Sequence, residues 1–357
     1  MENDTSPIEG KEWVSTLVWD WIEILRLIFA ITGIIGNTLV IVVYVHRRRM
    51  RNTTNAFIVN LAVADLITSI FIIPIPVLSN IPMSPVGRLY CKMIFNLVFM
   101  WISIVASLLT LTWVSLERYF AVVYPMRYRV IFSKWRPRAI MACTWLSSVV
   151  INTFNLYIVD LNETGKCQNH WPSLGFRYLI ATSVFFLEYF IPMVIMLVAN
   201  IITVRTLKSQ ARALLQRDQS RFSPAYSLLE ARRRVIETLF IVIITFIVCW
   251  TPDQIGFYIY HFGGVPDTYL GEPLYRFMVL LAFANSCANP IIYAFKNKHF
   301  RHGFMNMVRR KGNRVGSNAD SLAGEEEFNT VNVTVRTVRP KAVSRSQQPS
   351  QRSLNRS

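Results

Sequence analysis

Seven long apolar stretches constrain this chain more than any other feature of its sequence. Each is long enough to cross a hydrocarbon layer ~30 Å thick as a helix, which takes roughly 20 residues. A helix satisfies its backbone amides within one segment, which lipid requires. The sequence therefore predicts an all-α membrane protein, a seven-transmembrane helix bundle. The predicted spans are Trp21–Val45, Asn55–Leu78, Cys91–Val122, Ala139–Ile158, Tyr178–Val204, Val235–Tyr260 and Pro273–Phe295.

The charge distribution predicts how the chain lies in the membrane. Hydrophobic residues make up 52% of the chain and charged residues 17%, yet the formal net charge is +17. Four segments hold 30 of the 38 Lys and Arg: His46–Thr54, Tyr119–Arg138, Arg205–Arg234 and the tail from Lys296. They alternate along the chain, so the positive-inside rule places them in the cytoplasm and the N-terminus outside. A nucleic-acid binder would gather its basic residues on one folded domain, so that class is excluded. We expect a multi-pass plasma-membrane protein whose basic loops contact the lipid bilayer or a cytosolic protein.

This pattern divides the chain into four parts. Residues 1–20 form an extracellular N-terminus without a continuous apolar run, so we expect the first span to act as the insertion signal. Residues 21–295 form the helix bundle. Residues 296–310 carry apolar side chains at helical spacing beside basic ones, which predicts a short amphipathic helix on the inner membrane surface. Residues 311–357 are polar, and we expect a disordered cytoplasmic tail.

Two cysteines and two glycosylation sequons fall on the predicted outer side. Of the five cysteines, Cys91 and Cys167 lie near the outer face, where disulfides persist, so we expect them to pair. Two free thiols are the alternative. Asn3 and Asn162 each begin an N-x-[ST] sequon, and both are predicted to carry sugar.

Polar residues inside the spans carry functional information, because each is costly in lipid. Asp65 lies in the middle of the second span and needs partners there. Polar residues of the first, third and seventh spans could surround it as a hydrated pocket for a small cation such as sodium. These residues are Asn37, Ser107, Asn285, Ser286 and Asn289. A hydrogen-bonded cluster without an ion is the alternative.

Two further features suggest parts that move. Pro252 and Pro290 lie within the sixth and seventh spans, where proline removes a backbone hydrogen bond and kinks a helix. Glu117 and Arg118 lie at the inner end of the third span and could form a neutralised pair that opens on activation. Static bends and a plain interfacial anchor are the respective alternatives.

These residues belong to motifs that occur in a fixed order, one set per span. The motifs are Gly36-Asn37, Leu61-Ala62-Val63-Ala64-Asp65, Glu117-Arg118-Tyr119, Trp145, Pro192, Phe246 with Cys249-Trp250-Thr251-Pro252, and Asn289-Pro290-Ile291-Ile292-Tyr293. From about Gly36 to Phe304 the chain resembles the rhodopsin-like (class A) G-protein-coupled receptors. The run from Asn285 to Pro290 is most similar to the neuropeptide receptor branch, which includes galanin, allatostatin and RFamide receptors.

The resemblance implies a receptor rather than an enzyme. It implies a sodium ion as allosteric modulator in the pocket around Asp65, and no other cofactor. It also implies an activation switch that moves the sixth span outward and opens a cavity for a heterotrimeric G protein. Arrestin and a receptor kinase are further expected partners. The implied switch residues are Phe246, Trp250, Pro252, Arg118, Glu117, Tyr293 and Pro290.

The chain departs from the family pattern in three spans. Cys91 to Arg118 covers 27 residues, two more than the family usually shows. We place the surplus in the upper third span, where a bulge would rotate Lys92–Met100. Asn155 stands near the usual proline of the fourth span, and Asn200 replaces the usual tyrosine of the fifth.

Two absences narrow the ligand. Residues Cys91–Leu116 contain no acid, so the carboxylate that binds amine transmitters in the third span is missing. Residues Tyr275–Phe295 contain no lysine, so a retinal Schiff base cannot form. Monoamine and opsin readings are therefore excluded.

The outer halves of the remaining spans combine acids with aromatic rings. Such a cavity suits a Lys or Arg side chain, because a charged hydrogen bond contributes ~1.5–3 kcal/mol and a cation–aromatic contact ~0.5–2 kcal/mol. We expect an extracellular peptide ligand that is short and cationic or amidated. The predicted ligand-binding residues are Glu188, Asp253, Gln254, Trp101, Tyr258, Tyr275 and Phe283.

Other interpretations remain open at this point. Glu188 could pair with Arg177, and Asp253 could form hydrogen bonds within the bundle. The ligand could be a lipid or another small non-amine molecule. A membrane transporter is the alternative from a different class, although inverted repeats and paired broken helices, which are typical of transporters, are not visible.

Overall fold

The structure is a computed structural model that describes residues 14–16, 19–46, 52–133, 135–218, 224–296, 300–301 and 305. Within these residues, seven helical segments are long and apolar enough to cross a membrane. They are called the first to seventh spans below: Trp21–Val45, Thr53–Phe71, Pro85–Val123, Arg136–Ile158, Leu174–Gln216, Ile236–Phe262 and Pro273–Lys296. The predicted seven-helix bundle is confirmed.

Short irregular elements interrupt the third and fifth spans. The α-helices are α1 Trp21–His46, α2 Thr53–Phe71, α3 Pro85–Tyr90, α4 Val98–Val123, α5 Pro125–Ile131, α6 Arg136–Asn152, α7 Phe154–Ile158, α8 Leu174–Val184, α9 Ile191–Asp218, α10 Pro224–Phe262 and α11 Pro273–Lys296. The strands are β1 Val14–Thr16, β2 Val77–Ser79, β3 Val159–Leu161 and β4 Cys167–Asn169. Two π-helices, Cys91–Phe95 and Phe185–Phe190, and one 3₁₀ helix, Asp267–Gly271, complete the set.

The second span ends earlier than the sequence predicted. Its helix stops at Phe71 rather than continuing to Leu78. Pro74 and Pro76 follow, and proline disfavours helical backbone in the residue before it and lacks an amide donor. The chain then forms β2, which pairs antiparallel with β1. The predicted boundary was therefore wrong, and the segment before the first span is joined to the segment after the second.

A disulfide joins the third span to the loop that follows the fourth. Cys91 begins the first π-helix, and it bonds to Cys167 at the start of β4. Strands β3 and β4 form an antiparallel hairpin with Leu161 opposite Cys167. The predicted cysteine pairing is confirmed.

The two glycosylation sequons stay predictions. Asn162 lies in the turn of this hairpin, where its Oδ1 accepts hydrogen bonds from the backbone amides of Thr164 and Lys166. Its Nδ2, the atom to which a glycan would be attached, donates to Gln168 Oε1 at 3.1 Å. Asn3 lies outside the described residues.

The first and seventh spans pack closely because a glycine lies where they meet. A Cβ at Gly36 would lie 2.8 Å from Pro290 Cβ, closer than side-chain atoms approach one another. The absence of a side chain there lets the two helices meet. Asn37, the next residue, donates from Nδ2 to Ser286 O on the seventh span at 3.0 Å. The glycine therefore positions one of the predicted polar residues.

An ion-pair network joins the outer ends of the same two spans. Arg276 contacts Asp20 at 2.6 Å and Glu23 at 3.2 Å. The hydrogen bond from Arg276 holds the pKa of the Asp20 carboxyl below its usual range. Glu23 also pairs with Arg26, whose Nε donates to Ile72 O just after the second span. Three spans are thus tied together at this end.

Little of the predicted surface helix falls within the described residues. Helix α11 ends at Lys296, and Phe300 is buried against Tyr44 with ring centroids 6.4 Å apart. Residues 297–299 and most of 302–310 lie outside the described residues, as does the whole tail 311–357. The amphipathic helix and the disordered tail therefore stay predictions.

Candidate functional site

Asp65 lies at the centre of the bundle with both carboxylate oxygens bonded to the chain. It is 0% exposed. Ser107 Oγ, from the third span, donates to its Oδ1 at 2.7 Å, and Asn289 Nδ2, from the seventh span, donates to its Oδ2 at 2.8 Å. The structure therefore brings together three of the residues that the sequence singled out. A carboxylate has about four lone-pair sites, so these donors leave room for a cation on Asp65.

Of the other three predicted members, Ser286 lies within hydrogen-bonding range of Asp65, whereas Asn37 and Asn285 make no described hydrogen bond to it. Asn37 Nδ2 donates to the backbone oxygens of Gly33 and Ser286, each at 3.0 Å. Asn285 is one helical turn from Asn289, so the two residues lie on the same face of the seventh span. Its Oδ1 is buried and has no hydrogen-bond partner within the described part of the chain. An oxygen of this kind suits a hard cation, which takes oxygen ligands.

A second buried acid lies near the C-terminal end of the third span. Glu117 is 1% exposed, and its Oε1 accepts hydrogen bonds from Thr54 Oγ1 and Tyr128 OH, both at 2.9 Å. Its Oε2 lies 2.9 Å from Arg118 Nε, but the geometry is not that of a hydrogen bond, so this contact is electrostatic. The predicted pair of Glu117 and Arg118 is thus present and is held by two further donors.

Tyr128 stays protonated as a donor to this acid. It lies on α5, outside the spans, and burial raises the pKa of its hydroxyl to about 12, with a further contribution from the nearby Glu117 charge. The hydroxyl therefore keeps its proton throughout the physiological pH range. Tyr128 and Thr54 could not be predicted as partners of Glu117, because neither belongs to a motif or to a periodic pattern.

The remaining switch residues lie in one apolar cluster beneath the outer acids. Phe246 is fully buried, with its ring 6.4 Å from Trp250 and 6.1 Å from Tyr189. Tyr293 is buried in the same cluster, at the inner end of the seventh span. No hydrogen bond joins Tyr293 to Arg118 among the residues described. Pro252 and Pro290 both lie inside helices, as predicted.

Asn200 turns inward on its own helix. It replaces the usual tyrosine of the fifth span, is 1% exposed, and donates from Nδ2 to Met196 O at 2.9 Å. Its side chain is satisfied by its own helix and makes no described bond to the third or seventh span. Asn200 therefore makes no described side-chain hydrogen bond between helices.

Two acids lie in the half of the bundle that carries the Cys91–Cys167 disulfide. Asp253 is 5% exposed, and Glu188 Oε1 is buried without a hydrogen-bond partner. The two carboxyl groups lie within electrostatic range of each other. Gln254 Nε2 makes a long hydrogen bond of 3.4 Å to Asp253 Oδ2, while its own Oε1 has no partner. No basic side chain of the described ranges lies within 4.0 Å of either acid.

The predicted internal partner of Glu188 is engaged elsewhere. Arg177 donates from Nε to His261 Nδ1 at 3.1 Å and from Nη2 to Tyr260 O at 2.8 Å. Its guanidinium also lies over the Tyr260 ring, 4.7 Å from the centroid. The alternative in which Glu188 pairs with Arg177 is therefore not the arrangement found.

The predicted aromatic residues separate into two groups. Tyr275 lies within electrostatic range of Asp253, and Trp101 and Phe283 belong to the apolar cluster that contains Trp250. Tyr258 does not join them. It is 43% exposed, and its ring packs against Phe262 and Phe185 toward the outside of the bundle.

The two-residue surplus in the third span appears as a break between helices. The π-helix Cys91–Phe95 is followed by Leu97, which has a left-handed backbone with φ 50°, before α4 begins. Asn96 Nδ2 donates to Asn155 O at 3.1 Å and to Asn155 Oδ1 at 3.3 Å. Asn155, in place of the usual proline, therefore fixes the bulge. The sequence indicated both departures but not that they contact each other.

The seven-helix bundle has a buried polar centre. An acid and an arginine pair at one end, and two acids without a described basic partner lie at the other. This arrangement is that of a membrane receptor. The family model described as 7 transmembrane receptor (rhodopsin family) matches residues 36–293. The chain therefore belongs to this family, whose members are receptors and not enzymes.

Several peptide receptors are similar to this chain. It is 29% identical over 312 residues to a QRFP-like peptide receptor of Branchiostoma floridae, which covers 81% of this chain and 77% of that receptor. It is 31% identical over 289 residues to galanin receptor 2a of Danio rerio, covering 79% and 77%. It is 29% identical over 318 residues to somatostatin receptor type 5 of Rattus norvegicus, covering 84% and 81%.

The left-handed backbone of Leu97 yields a test of the bulge. In a helix, alanine is more stable than glycine by about 1 kcal/mol, whereas a left-handed residue with a Cβ costs roughly 1–2 kcal/mol. We expect Leu97→Gly to have a higher melting temperature than Leu97→Ala in purified receptor. Leu109, inside α4, provides the matched control, where the alanine variant should be the more stable. If both pairs show the same order, Leu97 is not left-handed in solution.

Proposed function

We propose that this chain is a plasma-membrane receptor that binds an extracellular peptide bearing a cationic group and activates a heterotrimeric G protein. The observation that carries the proposal is the pair of outer acids, Glu188 and Asp253. Asp253 is buried, Glu188 is half-buried with its Oε1 shielded from solvent, and neither acid has a basic partner within the described residues. A buried, unpaired charge is costly, so a cation supplied from outside stabilises this site.

The chemistry around the acids favours a donor-rich cation. Besides Glu188 Oε1, the buried Gln254 Oε1 also lacks a donor. A guanidinium offers five N–H donors in a planar fork, whereas an ammonium offers three from one atom. Tyr275 adds an aromatic side chain near Asp253. An arginine side chain of a peptide therefore fits this group better than a lysine, and the similar receptors named above bear the names of peptides.

The orientation follows from charge. The basic loops lie on the cytoplasmic side by the positive-inside rule, so the N-terminus and the Cys91–Cys167 disulfide lie outside. The outer acids then face the extracellular medium, where a peptide arrives. The paired Glu117 and Arg118 face the cytoplasm, where the G protein binds. Arrestin and a receptor kinase would act on the same side, at the serine- and threonine-rich tail.

Activation is proposed to pass through the cluster between the two ends. A ligand on Asp253 bears directly on α10, three residues beyond Trp250 and next to the kink at Pro252. Movement of α10 outward would rearrange Phe246 and open the inner cavity. Thr54 and Tyr128 now hold the Glu117 carboxylate beside Arg118. On activation, Arg118 would move away from Glu117.

Sodium is proposed as the modulator of this equilibrium. Asp65, Ser107 and the unpartnered Asn285 Oδ1 supply oxygen atoms of the kind that a hard cation takes, with Asn289 and Asn37 bordering them. The ion would supply positive charge beside a carboxylate that the protein otherwise stabilises with neutral donors alone. A hydrogen-bonded cluster without an ion is the alternative.

Two other functions lead to different experimental results. A receptor for a lipid or another small non-amine ligand would respond to a molecule without a cation and would not depend on the outer acids. A transporter would not promote nucleotide exchange on a G protein in membranes, with or without agonist. The unpaired acids favour the peptide receptor over the lipid receptor, because an apolar ligand leaves both acids without a partner.

The ligand proposal is tested by changing first the receptor and then the peptide. A screen of arginine-containing peptides by G-protein nucleotide exchange should give an agonist whose potency falls about 30-fold or more in Asp253→Asn and in Glu188→Gln. This size follows because removing one partner of a buried charge pair costs about 2–5 kcal/mol. Glu272→Gln, an exposed acid beside the seventh span, serves as the control and should leave potency unchanged.

The matched peptide replaces arginine with citrulline, which keeps the shape and loses the charge. It should be weak on the wild-type receptor and lose little more on Asp253→Asn, because the two changes remove the same contact. Equal losses for both peptides would place the arginine away from Asp253. Full activity of an uncharged lipid on both acid variants would overturn the proposal.

The activation proposal predicts that Tyr128→Phe raises basal nucleotide exchange. The substitution removes one donor from Glu117, and a hydrogen bond to a charged group contributes about 1.5–3 kcal/mol. Losing part of this free energy should increase the rate of nucleotide exchange several-fold in reconstituted receptor without agonist. Tyr157→Phe removes an exposed tyrosine hydroxyl in the outer part of the chain and should have no effect. Lower basal exchange in Tyr128→Phe would mean that this donor supports the active state instead.

The sodium proposal predicts a salt-specific stabilisation of purified receptor. Binding to the folded state at ten times the dissociation constant stabilises by about 1.4 kcal/mol. The melting temperature should therefore be higher in sodium chloride than in potassium chloride at equal ionic strength. Asp65→Asn should remove the difference, and Asp160→Asn, on β3, should keep it. Equal melting temperatures of the wild-type receptor in the two salts would support the alternative, a hydrogen-bonded cluster that binds no ion.

A further inference from the structure

Three side chains meet at the C-terminal end of the sixth span, around the imidazole ring of His261. Arg177, on α8 at the start of the fifth span, donates from Nε to His261 Nδ1 at 3.1 Å. Trp171 lies in the loop between β4 and α8, and its ring meets the His261 ring edge to face, with centroids 5.3 Å apart. His261 itself is buried. These three residues are called the donor cluster below.

The bond from Arg177 determines which nitrogen of His261 carries a hydrogen. A guanidinium donates and never accepts, so Nδ1 must accept through its lone pair. With Nδ1 unprotonated, the ring hydrogen is on Nε2, which makes Nε2 a donor. Nε2 has no hydrogen-bond partner among the residues that the structure describes. His261 therefore presents an unused donor.

The other two members of the donor cluster also have unused N–H groups. Trp171 Nε1 is shielded from solvent and has no hydrogen-bond partner within the described part of the chain. Arg177 uses two of the five N–H groups of a guanidinium, on His261 Nδ1 and on Tyr260 O. No acid of the described ranges lies within 4.0 Å of Arg177. A shielded donor without a partner costs free energy, so an acceptor supplied from outside stabilises this group.

The donor cluster and Asp253 lie along one face of the sixth span. Asp253, Phe257 and His261 follow one another at intervals of four residues, and the rings of Phe257 and His261 have centroids 4.3 Å apart. Asp253 and His261 are buried, whereas Ile255 and Ile259 are exposed on the opposite face. Eight residues of helix rise about 12 Å. An extended peptide of about four residues covers the same distance.

We propose that the donor cluster binds a carboxylate of the same peptide whose cationic group binds Glu188 and Asp253. A carboxylate only accepts hydrogen bonds, and its two oxygens match the fork of a guanidinium, with lone pairs left for an indole or imidazole N–H. The carboxylate belongs to an acidic side chain or to a free C-terminus, about four residues from the cation. In an amidated peptide it belongs to a side chain. This inference rests on the proposed function and adds a second, opposite charge to the ligand.

The test uses the purified full-length receptor and short synthetic peptides that contain one arginine and one glutamate at varied separation, with alanine and phenylalanine elsewhere and an amidated C-terminus. Matched peptides carry glutamine in place of glutamate. A further set carries glutamine and a free C-terminus, which distinguishes the two sources of the carboxylate. Dissociation constants are obtained from the rise in melting temperature with peptide concentration. A carboxylate about four residues from the arginine should tighten binding about tenfold, the size of one charge-assisted hydrogen bond.

Two variants should remove this preference for a carboxylate. Arg177→Gln should weaken the carboxylate peptides about tenfold and leave the peptides without a carboxylate within about twofold of their wild-type affinity. Trp171→Phe removes one N–H group that has no described partner, so it breaks no described hydrogen bond. It should weaken the carboxylate peptides alone, by about threefold. Arg88→Gln removes one charge from an exposed position on α3 and should change neither set of peptides.

Three outcomes would overturn the proposal. The first is equal binding of peptides with and without a carboxylate to the wild-type receptor. The second is the absence of binding by every peptide of the set. The third is an equal loss for both kinds of peptide in Arg177→Gln and Trp171→Phe, which would mean that the donor cluster only holds the loop against the two spans.

Failure of this proposal is distinguishable from failure of the proposed function. Asp253→Asn should weaken the arginine peptides whether or not they carry a carboxylate, because that variant removes the partner of the cation. If this loss is found and the carboxylate makes no difference, the cation site stands and the donor cluster has no part in binding. If the carboxylate matters and arginine can be replaced by citrulline without loss, the donor cluster stands and the cation site fails.

Discussion

The arrangement of the seven helices depends on one constraint, which is that a polar group buried in an apolar surrounding must find a partner. Lipid is as apolar as leucine, so apolar contact alone does not fix how a helix is rotated in a membrane bundle. Hydrogen bonds between spans do. Asn60 accepts from Trp145 Nε1 at 3.0 Å and donates to Thr110 Oγ1 at 2.8 Å, which joins the second, third and fourth spans. Asp65 and Asn37 join the second and first spans to the third and seventh.

The features that could be predicted from sequence are those that one segment determines by itself. A span is visible because about 20 apolar residues occur together, and the ends of the first and seventh spans were predicted to within a residue for this reason. Asp65 was recognisable because a charged residue in an apolar run needs partners wherever its neighbours lie. Cys91 and Cys167 could be paired because the predicted topology left them together on one side.

The features that could not be predicted depend on contacts between distant segments. Pro74 and Pro76 could have marked the end of the second span, but neither segment signals that β2 pairs with β1, which precedes the first span. The bulge after Cys91 is held by Asn155, a residue of the fourth span, and the sequence showed each as a separate departure. Tyr128 reaches Glu117 only because α5 folds back beneath the third span. Tyr258 was placed in the pocket by its depth, but its orientation depends on the ring packing of Phe185 and Phe262.

The four acids differ in whether the chain itself supplies their partners. This difference distinguishes acids that hold the helices together from acids that could bind a ligand. Asp65 and Glu117 are each bonded to donors from other parts of the chain, so their burial is compensated before any ligand arrives. Glu188 of the fifth span and Asp253 of the sixth lie within electrostatic range of each other, and the one hydrogen bond that Asp253 accepts from a described side chain is the long one from its neighbour Gln254. Two acids without compensating partners lower the free energy of unfolding, and apolar residues at the same positions would not. Under the proposed function, the unmatched acids lie where the ligand would bind, and the matched acids lie where the helices must hold together.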